Sequence, residues 1–171
     1  MGVSQADLVK YYYQYKDLIL LHQKLEFGKA PRSSEGFTET LCCNLFNLKR
    51  ATDVKRKYDL IDPATDAKIE VKATIETYGS TTINPTSVFD HLYWVTFLLI
   101  PDSFTIRKID YAELTEFFKS RRHQKRSNIT LSNFKSSEPS IFFFCKETQK
   151  IIPQTLTDQL EHIKRYVKKA G

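Results

Sequence analysis

The sequence predicts an α/β fold, a mixed β-sheet flanked by helices on both faces. Three observations lead there. Two segments of helical periodicity open the chain, short β-type runs separated by turn residues follow, and a helical pattern returns between the later strands. The 171 residues carry no Gly/Ser linker, repeat or low-complexity tract, so a single domain over 1–171 is expected.

The first element runs from Ser4 to Phe27, where Leu8, Tyr11, Tyr12, Tyr15, Leu18, Ile19 and His22 recur every three or four residues. Ser4 suits the cap and Gly28 the stop. Its tyrosines at this spacing belong to a core or a dimer interface more readily than to base stacking. Beyond Pro31, Ser34 opens a second helix through Phe37, Leu41, Leu45 and Leu48.

The period then changes. Residues 58–61 (YDLI) and 67–73 (AKIEVKA) are β-type runs joined by Asp62-Pro63-Ala64-Thr65-Asp66, a turn composition that predicts a hairpin. Ile69 and Val71 alternate with Lys68, Glu70 and Lys72, giving one apolar and one ionisable face. Residues 92–100 (LYWVTFLLI) read as a central strand, and 104–109 (FTIRKI) as its partner across Pro101. Asp110 and Glu113 suggest a capping pair for a helix through Leu114, Phe117 and Phe118. A basic, loop-like stretch follows. IFFFC at 141–145 is a further strand, and Leu156 to Val167 closes the chain as a helix.

Composition narrows the function. With 26 Lys and Arg against 20 Asp and Glu, the net charge of +6 suits a polyanionic partner. Cys42, Cys43 and Cys145 show no paired or zinc-type spacing, which points to reduced thiols in a cytoplasm. The N-terminus lacks an apolar h-region, and Leu92 to Ile100 is too short to span a bilayer, so a soluble, unexported protein without a membrane partner is expected.

The chemistry concentrates in YDLIDPATDAKIEVKA. Ten residues separate Asp59 from Glu70, and Lys72 lies two beyond Glu70. Strand alternation projects Glu70 and Lys72 from one face, and hairpin pairing brings Asp59 level with Glu70, so that two carboxylates converge on a hard cation. Such a site hydrolyses phosphodiesters when water is activated and charge building on phosphorus is neutralised. Glu35 and Glu39 on the preceding helix offer a third acid. Asp62 and Asp66 read as turn formers, Glu76 as a surface acid, and His91 as structural.

Three segments together resemble the PD-(D/E)xK nuclease superfamily, especially small type II restriction endonucleases. Thr38-Glu39-Thr40-Leu41-Cys42 resembles its acidic-helix motif, Asp59 with Glu70-Val71-Lys72 its metal motif, and Gly79-Ser80 through Pro85 to Phe89-Asp90-His91-Leu92-Tyr93 its downstream segment. They cover about residues 35–97, and Tyr58 stands where the motif has proline. The resemblance implies a restriction-endonuclease-like sheet, with Glu39, Asp59, Glu70 and Lys72 catalytic. Asp59, Glu70 and Glu39 would bind Mg²⁺, with Mn²⁺ able to substitute, and Glu35 rivals Glu39. It also implies cleavage of double-stranded DNA at a short sequence, by a homodimer. A structure-specific repair or recombination nuclease and a non-catalytic DNA-binding module are the other readings.

Two basic clusters suit phosphates: Lys49, Arg50, Lys55, Arg56 and Lys57 before the metal motif, and Lys119, Arg121, Arg122, Lys125 and Arg126 later. The second mixes His123, Gln124 and Asn128, which can reach base edges. Ser80, Thr81, Thr82 and Asn84 lie in a polar stretch beside the metal strand and are the remaining DNA-binding candidates.

Overall fold

The computed structural model describes residues 2–28, 31, 33–52, 58–75, 80–83, 87–119, 127–130, 134 and 138–155. Helix α1, Gln5–Lys24, starts where Ser4 and Asp7 form a reciprocal capping box. Helix α2, Glu35–Phe46, is capped by the Ser34 hydroxyl and ends at Asn47, whose φ of 54° is a left-handed conformation that asparagine tolerates.

The strands are β1 (Lys49–Arg50), β2 (Leu60–Ile61), β3 (Lys68–Ile75), β4 (Ser80–Ile83), β5 (His91–Leu98), β6 (Ser103–Asp110), β7 (Ser127–Thr130), β8 (Ser140–Cys145) and β9 (Lys150–Gln154), with helix α3 at Tyr111–Lys119 after β6. Seven of them form one sheet in the order β1-β2-β3-β5-β6-β8-β9, while β4 and β7 pair separately. The pairing of β3 with β5 is parallel and the other pairs are antiparallel, so the sheet is mixed. The predicted central strand, β5, holds the middle position.

Alternation along β5 divides the core between the two faces. Val95 and Phe97 pack with Leu8, Val9 and Tyr12 of α1 and Phe37 and Leu41 of α2. Leu92 and Trp94 pack with Leu114 and Phe118 of α3 and with Ile83 and Ile129 of the small sheet. Helices thus cover both faces. The first face is aromatic, with the rings of Tyr12 and Phe144 stacked 3.9 Å apart and those of Phe104 and Phe142 5.2 Å apart. Each such side chain removed from water contributes about 1.5–3 kcal/mol. Tyr12 and Lys16 also reach Asp102 at 3.2 and 2.5 Å, tying α1 to the β5–β6 turn.

Five strands differ from the sequence expectation. β1 has two residues, and β2 keeps only Leu60–Ile61 of the run expected over 58–61, which leaves Asp59 just outside it. β4 and β7 lie in stretches read as loop, because Ser and Thr supply none of the apolar alternation that marks a strand, and both pair across a long separation in sequence. β9 contains Pro153, which a sheet tolerates at its edge, where β9 lies. Asp110, expected to cap α3, also meets His91 Nδ1 through its Oδ1 at 2.9 Å. The closing helix expected over 156–167 lies outside the described residues.

Candidate active site

A parallel pair cannot be joined by a tight turn, so the chain between β3 and β5 must cross over the sheet. β4 lies in that crossover. On the other side of β3, only Lys68 and Ile69 are paired with β2. Past that pairing, a groove of about 820 Å³ runs along Val71 to Ile75. Glu35, Thr38 and Glu39 of α2 and Ser80, Thr81 and Thr82 of β4 line it, with Tyr15, Pro31 and Ser33. Asp59 and Lys72 line it beside them.

Asp59 is pinned by three hydrogen bonds. Its N–H donates to the Ile69 carbonyl at 2.9 Å, its carbonyl accepts the Ala51 N–H at 2.9 Å, and its Oδ2 accepts the Val71 N–H at 2.7 Å. The pairing of β2 with β3 ends at Leu60–Ile69, and because the Asp59 N–H also turns to Ile69, Asp59 sits at the end of that ladder, close enough to Glu70 to repel its carboxylate. The Asp62 turn sets this register: Asp62 Oδ1 accepts the Ala64 N–H at 2.8 Å, Oδ2 accepts the Thr65 hydroxyl at 2.9 Å, and Asp66 takes a φ of 59°.

Glu70, Lys72 and Thr74 alternate onto one face of β3, where the Trp94 indole donates to the Thr74 hydroxyl at 3.0 Å. Lys72 Nζ lies 2.5 Å from Glu70 Oε1. Glu39 Oε2 meets Arg50 Nη2 at 2.9 Å, and the same nitrogen donates to the Gly36 carbonyl at 2.7 Å. Arg50, a candidate phosphate contact, is therefore engaged with the first turns of α2, and sequence reasoning missed that role because it depends on β1. His91 Nδ1 lies 2.9 Å from Asp110 Oδ1.

The electrostatics are those of crowded carboxylates. Burial pushes Asp59 up, opposed by the Val71 N–H and Lys72, with Glu35 adding repulsion. Burial likewise raises Glu70, against the pull of Lys72 and with repulsion from Asp59 and Glu35. Glu39 is raised by burial despite Arg50, with Asp59 and Glu35 repelling it. Glu35, Glu39, Asp59, Glu70 and Lys72 thus share one local field.

Among the described residues, no group of three acidic, histidine or cysteine side chains is closed enough to hold a metal ion by itself. The donor set nonetheless fits a hard divalent cation. Oδ1 of Asp59 and Oε2 of Glu70 remain without a hydrogen-bond partner among the described residues, on neighbouring carboxylates whose mutual repulsion a cation would relieve.

Of the other candidates, Ser80, Thr81 and Thr82 stand at the groove. Lys55, Arg56, Lys57, Glu76, Asn84, Arg121, Arg122, His123, Gln124, Lys125 and Arg126 lie outside the described residues. No helix among the described residues is long and apolar enough to cross a membrane.

A family model described as Bsp6I restriction endonuclease matches residues 3–133, well over half of the chain and including Glu39, Asp59, Glu70 and Lys72. None of the curated proteins matches the chain.

Proposed function

Since this chain belongs to the Bsp6I restriction endonuclease family, we propose that it is a Mg²⁺-dependent endonuclease that cuts double-stranded DNA at a short specific sequence. The observation that supports this reading is the Val71 N–H bond to the Asp59 carboxylate, which holds it near Glu70, with Lys72 at hydrogen-bond distance from Glu70.

Asp59 and Glu70 would hold the ion, with Glu39 as the third acid reaching in from α2. When bound, Mg²⁺ supplies positive charge against the phosphate and acidifies water. The chain's own residues supply the remainder. The Val71 N–H holds the Asp59 carboxylate in place, and Lys72 directs its ammonium toward charge that develops on the phosphate or on the attacking water. Glu39 is kept over the groove by Arg50. Lys55, Arg56, Lys57, Arg121, Arg122, Lys125 and Arg126 would neutralise phosphates, and Ser80, Thr81, Thr82 and Asn84 would contact the duplex. The chain works as one domain over 1–171, in the cytoplasm, and as a homodimer whose two grooves cut the two strands.

The test is incubation of the purified protein with phage or plasmid DNA and Mg²⁺, with Mn²⁺ in parallel. Discrete fragments support the reading. A preference for branched or mismatched duplexes would favour a structure-specific nuclease, and DNA binding without cutting would favour a non-catalytic module.

A further inference from the structure

The ribbon of β4 and β7 has a composition that its place in the groove makes informative. Its register sets Ser80 against Thr130, Thr81 against Ile129, Thr82 against Asn128 and Ile83 against Ser127. None of these eight residues is charged, in a chain carrying a net +6. The ribbon therefore carries no cation of its own to neutralise phosphates, the main source of sequence-blind attraction. Its residues are hydrogen-bonding side chains on two apolar anchors.

Those anchors fix it. Ile83 and Ile129 are buried at 2 % and 0 % exposure, in the cluster with Leu92, Trp94 and Ile109 of the main sheet and Leu114 and Phe118 of α3. Alternation then leaves Ser80 and Thr82 exposed on the opposite side, at the wall of the groove that Asp59 and Lys72 also line. A polar face held rigidly by a buried one is suited to reading a surface, since little ordering entropy is lost on contact.

Resting on the nuclease reading above, we propose that the β4–β7 ribbon is the base-reading element, laid in the DNA major groove with Ser80 and Thr82 contacting base edges. The dimensions agree. The major groove, about 12 Å wide, admits a two-stranded ribbon. Residues two apart on a strand are separated by about 6.8 Å, which is two base-pair rises of about 3.4 Å. Ser80 and Thr82 therefore address bases two steps apart, close to the phosphate presented to Lys72. Hydroxyls serve as donor or acceptor toward either base of a pair, and the threonine methyl also suits the thymine methyl.

The experiment selects bound duplexes from a randomised pool, with Ca²⁺ in place of Mg²⁺, using the full chain and its Thr82→Val and Ser80→Ala variants. Valine keeps the β-branched shape, and a melting curve confirms that each variant is folded. The expected result is that Thr82→Val loses discrimination at one base position by about ten- to a hundredfold, while other positions keep theirs, and that Ser80→Ala does so two base pairs away. Equal weakening toward all sequences would mean phosphate contacts and overturn the proposal. Unchanged selection by both variants would also overturn it. A wild-type protein that selects sequences which Thr82→Val relaxes, yet cuts nothing with Mg²⁺, would sink the nuclease reading and leave the ribbon standing. A wild-type protein that selects no sequence sinks the ribbon.

Discussion

The Val71 amide donates to the carboxylate of Asp59 at 2.7 Å, so the strand that carries Glu70 and Lys72 also positions the acid facing them. That bond occupies a place where the next residue of β2 would pair if the strand were longer. A short strand thereby frees the edge of β3, and the groove forms along it.

Lys72→Ala is expected to separate cutting from binding. The ammonium acts on charge that develops during the reaction, so its loss should lower cleavage by about a thousandfold or more, in line with several kcal/mol of charge stabilisation. DNA affinity, measured by fluorescence anisotropy without cleavage, should change by less than about tenfold, because one cation among many phosphate contacts is removed.

The two acids of α2 should differ. Glu39 is half-buried, paired with Arg50 and coupled to Asp59, whereas Glu35 is exposed at the first turn. Glu39→Gln should cost about 10- to 100-fold in cleavage at limiting Mg²⁺, the usual range for a group that supports a metal site. Glu35→Gln should cost less. Kinetics over a Mg²⁺ titration read both, and a larger loss in Glu35→Gln would reverse the assignment.

Stability should depend on pH in a way that Mg²⁺ changes. Asp59, Glu70 and Glu39 are all held above their ordinary values, first by burial. Their protonated forms stabilise the fold fully below the unfolded-state values, and that contribution is lost as pH rises through the higher folded-state values. Asp7 and Asp62 are lowered by hydrogen bonds and contribute with the opposite sign as pH falls. The difference between melting curves with Mg²⁺ and with EDTA removes that shared background. Because the ion binds ionised carboxylates, the gain from Mg²⁺ should grow across about pH 4 to 7. A gain independent of pH would contradict the crowded-carboxylate picture.

Thr38→Val should raise the melting temperature. The Thr38 hydroxyl is buried with no hydrogen-bond partner among the described residues, which costs about 1–3 kcal/mol. Valine keeps the shape and removes the polar group. Differential scanning calorimetry checks the sign, and a lower melting temperature would mean that the hydroxyl has a bonded role.

The sequence revealed the fold where the period was strong. Residues 92–98 and 104–109 are continuous enough in apolar side chains that β5, β6 and their antiparallel pairing follow directly. The Asp62 turn was legible too, because aspartate, proline and threonine each favour a turn for a local reason. Interactions over long sequence separations were not. The partner of Ser80–Ile83 lies some 50 residues on, and no local pattern in Ser-Thr-Thr-Ile indicates it. Arg50 read as one cation in a basic run, since only the short β1 turns it toward Glu39. Solution experiments test the roles of Asp59, Glu70 and Lys72 directly.

The most direct of those compares wild type with Asp59→Ala and Glu70→Ala on the same phage DNA, with Mg²⁺ and with EDTA. Wild type should give discrete fragments with Mg²⁺ and none with EDTA, and both variants should leave the DNA intact while still folding. Fragments from Glu70→Ala at the wild-type rate would contradict the account.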